Sequence, residues 1–114
     1  DVWGDGEQTR SFLYIDDCVE ATLKLFDSNF HGPINIGSEE KVSINDMIDK
    51  IENISNKKVK KNYQLDKPKG VRGRNSDNTL IRKQLNWEPK FTLYQGLEKT
   101  YNWIYSEIRK KHNQ

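Results

Sequence analysis

The stretch from residue 34 to residue 65 constrains the fold more than any other. Ser43 and Asp46 have the spacing of a helix capping box, with Asp in place of the usual Glu. Behind them Ile44, Met47, Ile48, Ile51 and Ile54 form one clean apolar stripe at helical spacing. Ile34-Asn35-Ile36-Gly37 on one side reads as a short strand. On the other side Val59, Lys61, Tyr63 and Leu65 alternate with polar residues, as in a half-exposed strand. Strand 34 to 37, helix 44 to 54 and strand 59 to 65 are therefore expected to form one βαβ unit with a right-handed crossover.

Helical and turn signals organise the rest. Residues 10 to 15 are rich in aromatic and branched side chains, as strands are, and run into Asp16-Asp17, where a carboxylate can cap a helix. Val19, Leu23 and Phe26, with Thr22 and Leu25, then recur at helical spacing over 16 to 27, and His31-Gly32-Pro33 closes that helix. Pro68, Gly70 and Gly73 mark a loop. Ser76 and Asp77 can cap a short helix carrying Leu80, Ile81 and Leu85, ended by Asn86. Thr92 and Gln95 make a second capping box, and Leu93, Leu97, Tyr101, Ile104 and Ile108 stripe the last helix up to Arg109, Lys110 and Lys111. The expected class is α/β, of an α+β-like kind, with the βαβ unit and three to four helices.

Size limits what this can be. At 114 residues, 33% hydrophobic and 32% charged, the chain has room for one domain. Leu, Ile, Val and Phe make up about 24% of it, above the roughly 20% below which chains fail to fold, so a core forms but a thin one. A complete dinucleotide enzyme with a separate substrate domain does not fit. Val2-Trp3 running straight into Gly4-Asp5-Gly6 reads as the end of a strand whose beginning is missing, so a piece of a longer protein is expected. The one cysteine, Cys18, cannot form an intramolecular disulfide and reads as a buried, inert thiol in helix 16 to 27. With His31 and His112 it makes no zinc site. No apolar run approaches the ~20 residues of a membrane span, so no membrane is expected and the reading is of a soluble, cytoplasmic protein.

Charge is segregated. Lys57, Lys58, Lys60, Lys61, Lys67, Lys69, Arg72 and Arg74 face one acid, Asp66, a local +7 in a chain of net charge +2, so the remainder carries -5. Such a segment suits an anionic partner. Lys57 to Lys61 also read as solvating a short exposed strand. Arg72 and Arg74 lie beside glycines, where a planar guanidinium fork matches phosphate oxygens. Catalytic and cofactor signals are absent: Gly4-Asp5-Gly6 has Thr9 where a dinucleotide fingerprint needs its third glycine, and a strand follows it. Tyr63 and Lys67 have the Tyr-x-x-x-Lys spacing of a catalytic pair, but in an alternating strand that geometry is lost.

In order along the chain, Trp3-Gly4-Asp5-Gly6-x-x-Thr9-Arg10-Ser11-Phe12, Ile15-Asp16-Asp17, Asn35-Ile36-Gly37-Ser38, Leu85-Asn86-Trp87-x-Pro89 and Gly96-Leu97-x-x-Thr100 resemble one family. They are similar to the C-terminal part of extended short-chain dehydrogenases/reductases, the NAD-dependent epimerases and dehydratases of nucleotide sugars. Val71 to Asn78 is similar to the loop of the 3,5-epimerase branch that acts on GDP-mannose. The resemblance implies that residues 1 to 114 are a substrate-binding domain, with NAD held by a missing N-terminal domain and a homodimeric full-length protein. It implies that Arg10 contacts the nucleotide diphosphate, that Arg74 binds substrate with Arg72 its neighbour, and that Asn35 helps build the cleft. It leaves no catalytic or cofactor-binding residue in this chain, which alone should be inactive.

Two other readings within the family are the same portion of a UDP-glucose 4-epimerase or of a dTDP-glucose 4,6-dehydratase. A nucleic-acid-binding module would want stacking aromatics, and only Tyr63 lies in the basic segment. A free-standing regulatory homologue is the non-enzymatic alternative.

Overall fold

A computed structural model describes residues 1 to 112. Strand β1 (Val2–Trp3) pairs in parallel with β4 (Tyr63–Gln64), and β2 (Thr9–Arg10) pairs antiparallel with β3 (Val42–Ser43). Four helices complete the chain: α1 (Ile15–Phe26), α2 (Ile44–Ser55), α3 (Thr79–Leu85) and α4 (Leu93–His112). The α/β class holds, with helices carrying most of the regular structure.

The strands around α2 are connected differently from the expectation. A parallel pair joined through helices is present, but β1 is the partner of β4, and residues 34 to 37 form no strand. The reason is where their bonds go. Ile34 and Ile36 pack on the buried cluster of Ala21, Ile81 and Trp87, while the Gly37 and Ser38 carbonyls accept from Asn78 Nδ2 and Ser76 N–H. Their backbone partners thus come from a loop. The strand expected from residue 59 begins only at Tyr63, because the chain is still tied to the end of α2. Asn56 turns left-handed at φ 53°, and Glu52 then accepts from Val59 N–H at 2.8 Å and Lys58 Nζ at 2.8 Å. Strand 10 to 15 likewise shrinks to Thr9–Arg10.

Local signals at the helix ends mostly fold as expected. Ser43 Oγ accepts from Asp46 N–H at the start of α2. Thr92 and Gln95 form a reciprocal box, with Gln95 N–H donating to Thr92 Oγ1 and Thr92 N–H to Gln95 Oε1. Asn86 ends α3 at φ 47°. Asp77 accepts from the Thr79 N–H and hydroxyl, whereas the Ser76 hydroxyl donates to Asn78 Oδ1 and caps nothing.

Asp17 is a correction. It does not cap its own helix: its side chain, 1% exposed, reaches across the sequence and accepts from Lys90 N–H at 3.0 Å and Phe91 N–H at 3.1 Å. Tyr14 meets the Phe91 ring edge-on at 4.9 Å, and Lys90 Nζ pairs with Glu20 at 2.9 Å. Three contacts therefore fasten the start of α1 to the approach of α4.

The molecule is flat, 48 × 40 × 20 Å, with a radius of gyration of 17.0 Å. A compact chain of this length would have about 13 Å. Its accessible surface of 8369 Å² exceeds the roughly 6,500 Å² of a compact monomer of this mass. Many large apolar side chains lie on this surface. Ile15, Val19, Leu23 and Phe26, the last 85% exposed, line the outer face of α1, and Trp103, Ile104, Tyr105 and Ile108 lie open on α4. Cys18 is half-buried, not buried as expected. Among the described residues, no helix is long and apolar enough to cross a membrane.

Removing the Asp17 carboxylate leaves two enclosed backbone donors without an acceptor. Asp17→Ala is expected to cost about 3 kcal/mol, and Asp17→Asn, which keeps one oxygen, about half of that. Urea unfolding of the full-length protein checks this; a loss under about 0.5 kcal/mol for Asp17→Ala contradicts it.

Candidate functional site

The turn at Gly4-Asp5-Gly6 sets the geometry. Gly4 and Gly6 sit at φ 86° and 76°, which glycine adopts without strain. The turn delivers the chain to β2, and Thr9 then grips the loop that follows β4. Thr9 N–H donates to Arg72 C=O at 2.9 Å and Arg74 N–H donates to Thr9 C=O at 3.2 Å, a parallel bridge around Gly73. A Cβ on Gly73 would come within 2.7 Å of Thr9 Oγ1, so a larger residue there would have to displace the Thr9 hydroxyl.

An open cleft of about 500 Å³ lies beside this bridge, lined by Ser11 and Leu13 on one side, Asn35 to Ser38 on another, and Arg74 to Ser76 on a third. Arg74 and Asn35, singled out from the sequence, are thus brought together. Among the described residues Arg74 has no carboxylate partner. It is an exposed cation beside polar amide and hydroxyl groups, suited to an anionic ligand.

The other two arginines are placed differently. Arg72 lies outside the cleft lining, with Nη1 3.3 Å from Asp5 Oδ2. Asp5 is held below the usual carboxylate range, first by the Glu7 N–H and then by Arg72. Arg10 clamps the loop: Nη1 donates to Thr9 and Val71 C=O, each at 2.7 Å, and Nη2 to Lys69 C=O at 3.0 Å. Three of its five guanidinium N–H groups are thus occupied, and Arg10, like Arg72, is not among the residues lining the cleft.

The basic segment is less bare than its sequence suggests. Lys58 pairs with Glu52, Lys61 with Asp49 at 2.6 Å, and Arg72 with Asp5, all acids from outside the segment. The hydrogen bonds they donate to Glu52 and Asp49 hold the Lys58 and Lys61 ammonium groups above their usual value. Residues 57 to 61 form no strand. Tyr63 and Lys67 are no catalytic pair, since the Tyr63 hydroxyl donates to Asn45 Oδ1 from β4.

Sequence reasoning missed what joins the cleft walls. Asn78, 1% exposed, donates through Nδ2 to Gly37 C=O at 2.9 Å and accepts from the Ser76 hydroxyl at 2.7 Å. Its N–H donates to Glu39 Oε1 at 2.9 Å, beside Arg82 Nη2 at 3.1 Å. The Arg82 guanidinium, and after it the Asn78 N–H, hold Glu39 below its usual 4.5. Only the cluster of polar residues at 75 to 78 hinted at such a joint, and it read as a helix cap.

Comparison with known proteins agrees with this architecture. Residues 2–100 match the family described as GDP-mannose 4,6 dehydratase. The chain belongs to this family of extended short-chain dehydrogenases. It is 49% identical over 111 residues to GDP-mannose 3,5-epimerase of Arabidopsis thaliana, covering 97% of this chain and 29% of that protein. UDP-glucose 4-epimerase from Thermotoga maritima, solved with UDP-glucose, superposes with a TM-score of 0.87 at 30% identity, over 95% of this chain and 36% of that one. UDP-glucuronic acid 4-epimerase from Bacillus cereus, solved with UDP-glucuronic acid and NAD, gives 0.83 at 35% identity, over 92% and 34%. The chain therefore spans about a third or less of the length of the relatives it matches.

A pH dependence follows from Glu39. Its carboxyl is depressed in the folded state, so the charged form adds stability above pH 4.5, and that stability is lost as pH falls through the lower folded value. Glu39→Gln should therefore flatten the acid limb of the melting-temperature profile below pH 4.5. Thermal scans between pH 3 and 7 test this, and parallel acid limbs in the two proteins count against it.

Proposed function

We propose that residues 1 to 114 are the C-terminal substrate-binding domain of an NAD-dependent nucleotide-sugar epimerase, with GDP-mannose as the favoured substrate. The observation that carries the reading is Arg74 beside Asn35 in one open cleft, its guanidinium free of any carboxylate among the described residues. The 49% identity to a GDP-mannose 3,5-epimerase, against 30 to 35% to the two solved UDP-sugar enzymes, favours the GDP-sugar over the UDP-sugar alternative.

In this reading Arg74 takes the diphosphate or sugar from one wall, and Arg10, which holds the loop at 69 to 71, offers its two remaining N–H groups to the diphosphate. Arg72, paired with Asp5, steadies the loop's far end. NAD supplies the reversible oxidation of the sugar in such enzymes. The Gly4-Asp5-Gly6 turn is packed by this chain's own side chains: a Cβ on Gly6 would run into Asn45 and one on Gly4 into Lys69. Cofactor and catalytic groups belong to the rest of the full-length protein, and the isolated chain is inactive. The apolar face of α1 supports the same view, because Ile15, Val19, Leu23 and Phe26 make a stripe suited to covering by a further domain. A homodimer in the cytoplasm completes the reading, and the lone Cys18 is compatible with a reducing compartment.

A thermal-shift panel of GDP-mannose, UDP-glucose and dTDP-glucose on the full-length protein tests the substrate. GDP-mannose is expected to stabilise most, and stabilisation by UDP-glucose alone would falsify the GDP-sugar assignment. Arg74→Ala should weaken nucleotide-sugar binding by about 30-fold while leaving NAD affinity within twofold, since a charge-assisted contact is worth about 2 kcal/mol.

A further inference from the structure

Two walls of the cleft have no ladder holding them together. The Arg74 wall hangs from Thr9 by the bridge at Gly73, and the Asn35 wall is an extended segment outside any strand. What joins them lies behind the cleft. Asn78 donates to Gly37 C=O and accepts from the Ser76 hydroxyl, and Ser76 N–H donates to Ser38 C=O at 3.1 Å. The approach is close enough to require glycine: a Cβ on Gly37 would stand 2.8 Å from Ser76 Cβ. Asn78 is 1% exposed and is not among the residues lining the cleft, so it is no ligand contact itself.

We propose that Asn78 is a positioning residue, which fixes the separation of Arg74 and Asn35 across the cleft and so sets the affinity for the anionic sugar nucleotide. This rests on the reading that the cleft binds a nucleotide sugar. The physical case is one of leverage. Arg74 is four residues from Asn78 and Asn35 two residues from Gly37, so the hydrogen bond that the Asn78 amide donates to Gly37 C=O ties both walls close to the groups that would face the ligand. A side-chain amide satisfied on both its oxygen and its nitrogen holds one orientation, whereas an exposed arginine on an untied loop samples many and loses entropy on binding. The hydroxyl of Ser76 fixes which way the amide faces, because it donates to the oxygen and leaves the nitrogen for Gly37.

The test is calorimetric titration of the full-length protein with GDP-mannose. Asn78→Ala is expected to weaken binding about tenfold with NAD affinity unchanged, and Arg74→Ala to weaken it more. Because Asn78 acts through Arg74, the double variant should bind within twofold of Arg74→Ala alone. A residue that only stabilised the fold would instead give losses that multiply, and that result overturns the proposal. Ser76 also lines the cleft, so Ser76→Ala, which removes the hydroxyl that orients the amide, should cost about threefold with that loss vanishing in the Arg74→Ala background, where the loss of a direct contact would persist. Unchanged affinity in Ser76→Ala overturns the proposal however Asn78→Ala folds. If the wild-type protein binds none of GDP-mannose, UDP-glucose and dTDP-glucose, the cleft reading fails and this one falls with it. Binding in which Arg74 matters and Asn78 does not defeats the positioning role alone.

Discussion

Six hydrogen bonds converge on four residues, Gly37 to Glu40, a segment with no ladder of its own. The Gly37, Ser38 and Glu39 carbonyls accept from Asn78 Nδ2, Ser76 N–H and Asn75 Nδ2. The Glu39 carboxylate accepts from Asn78 N–H and Arg82, and Glu40 from Leu93 N–H at the first residue of α4. This hub fixes where α3 and α4 begin and where the wall bearing Arg74 runs. Each bond nets about 1 kcal/mol, but a buried group left unpaired costs more, so the segment holds one arrangement because any other leaves donors unmet. With a buried apolar core reduced to Val2, Ala21, Val42, Ile81, Trp87 and Leu93, apolar burial alone could not specify it.

The same device recurs at three further junctions. Asp17 fastens α1 to the approach of α4, Glu52 holds the exit of α2, and Arg10 pulls the loop at 69 to 71 over β2. Carboxylates and a guanidinium stand in for the ladders and apolar faces that a larger domain would use. Such bonds fix direction as well as distance, whereas apolar packing fixes mainly distance. That is the property a binding wall needs. The cleft therefore lies on the polar-stitched side of the molecule, next to the hub, and the exposed apolar stripe lies on α1.

What could be read from the sequence divides along this line. Helices were legible because their signals are local: the Ser43 cap, the reciprocal Thr92–Gln95 box and the stripe of Ile44, Met47, Ile48, Ile51 and Ile54 all lie within a few residues of what they specify. The βαβ unit was misread because strand character at 34 to 37 is a statement about side chains. The bonding partner of a backbone 40 residues away is not written in the segment itself. Asp17 shows the same gap. A carboxylate at a helix start is the pattern of a cap, and nothing near it in the chain says that its partners are Lys90 and Phe91. For the cleft, Arg74 and Asn35 were legible from their resemblance to a known order of motifs. Asn78, which joins their walls, was hidden behind two better capping candidates at Ser76 and Asp77.

The arginines show why charge counted along a sequence misleads about where a ligand goes. Of the eight basic residues between 57 and 74, Lys58, Lys61 and Arg72 are taken by Glu52, Asp49 and Asp5, so the concentrated +7 becomes a weaker field with a few free cations in it. Exposed pairs of this kind contribute little to stability, yet they decide which cations are left over. Arg72 and Arg74 are neighbours with like surroundings in sequence. Both have their backbone pinned to Thr9, but only Arg74 is among the residues lining the cleft. Which of the two arginines is left without a carboxylate is thus decided by one acid, Asp5, which sits in the Gly4-Asp5-Gly6 turn and engages Arg72. A feature that fails as a dinucleotide fingerprint has a different part here, since the two left-handed glycines place that carboxylate against the loop.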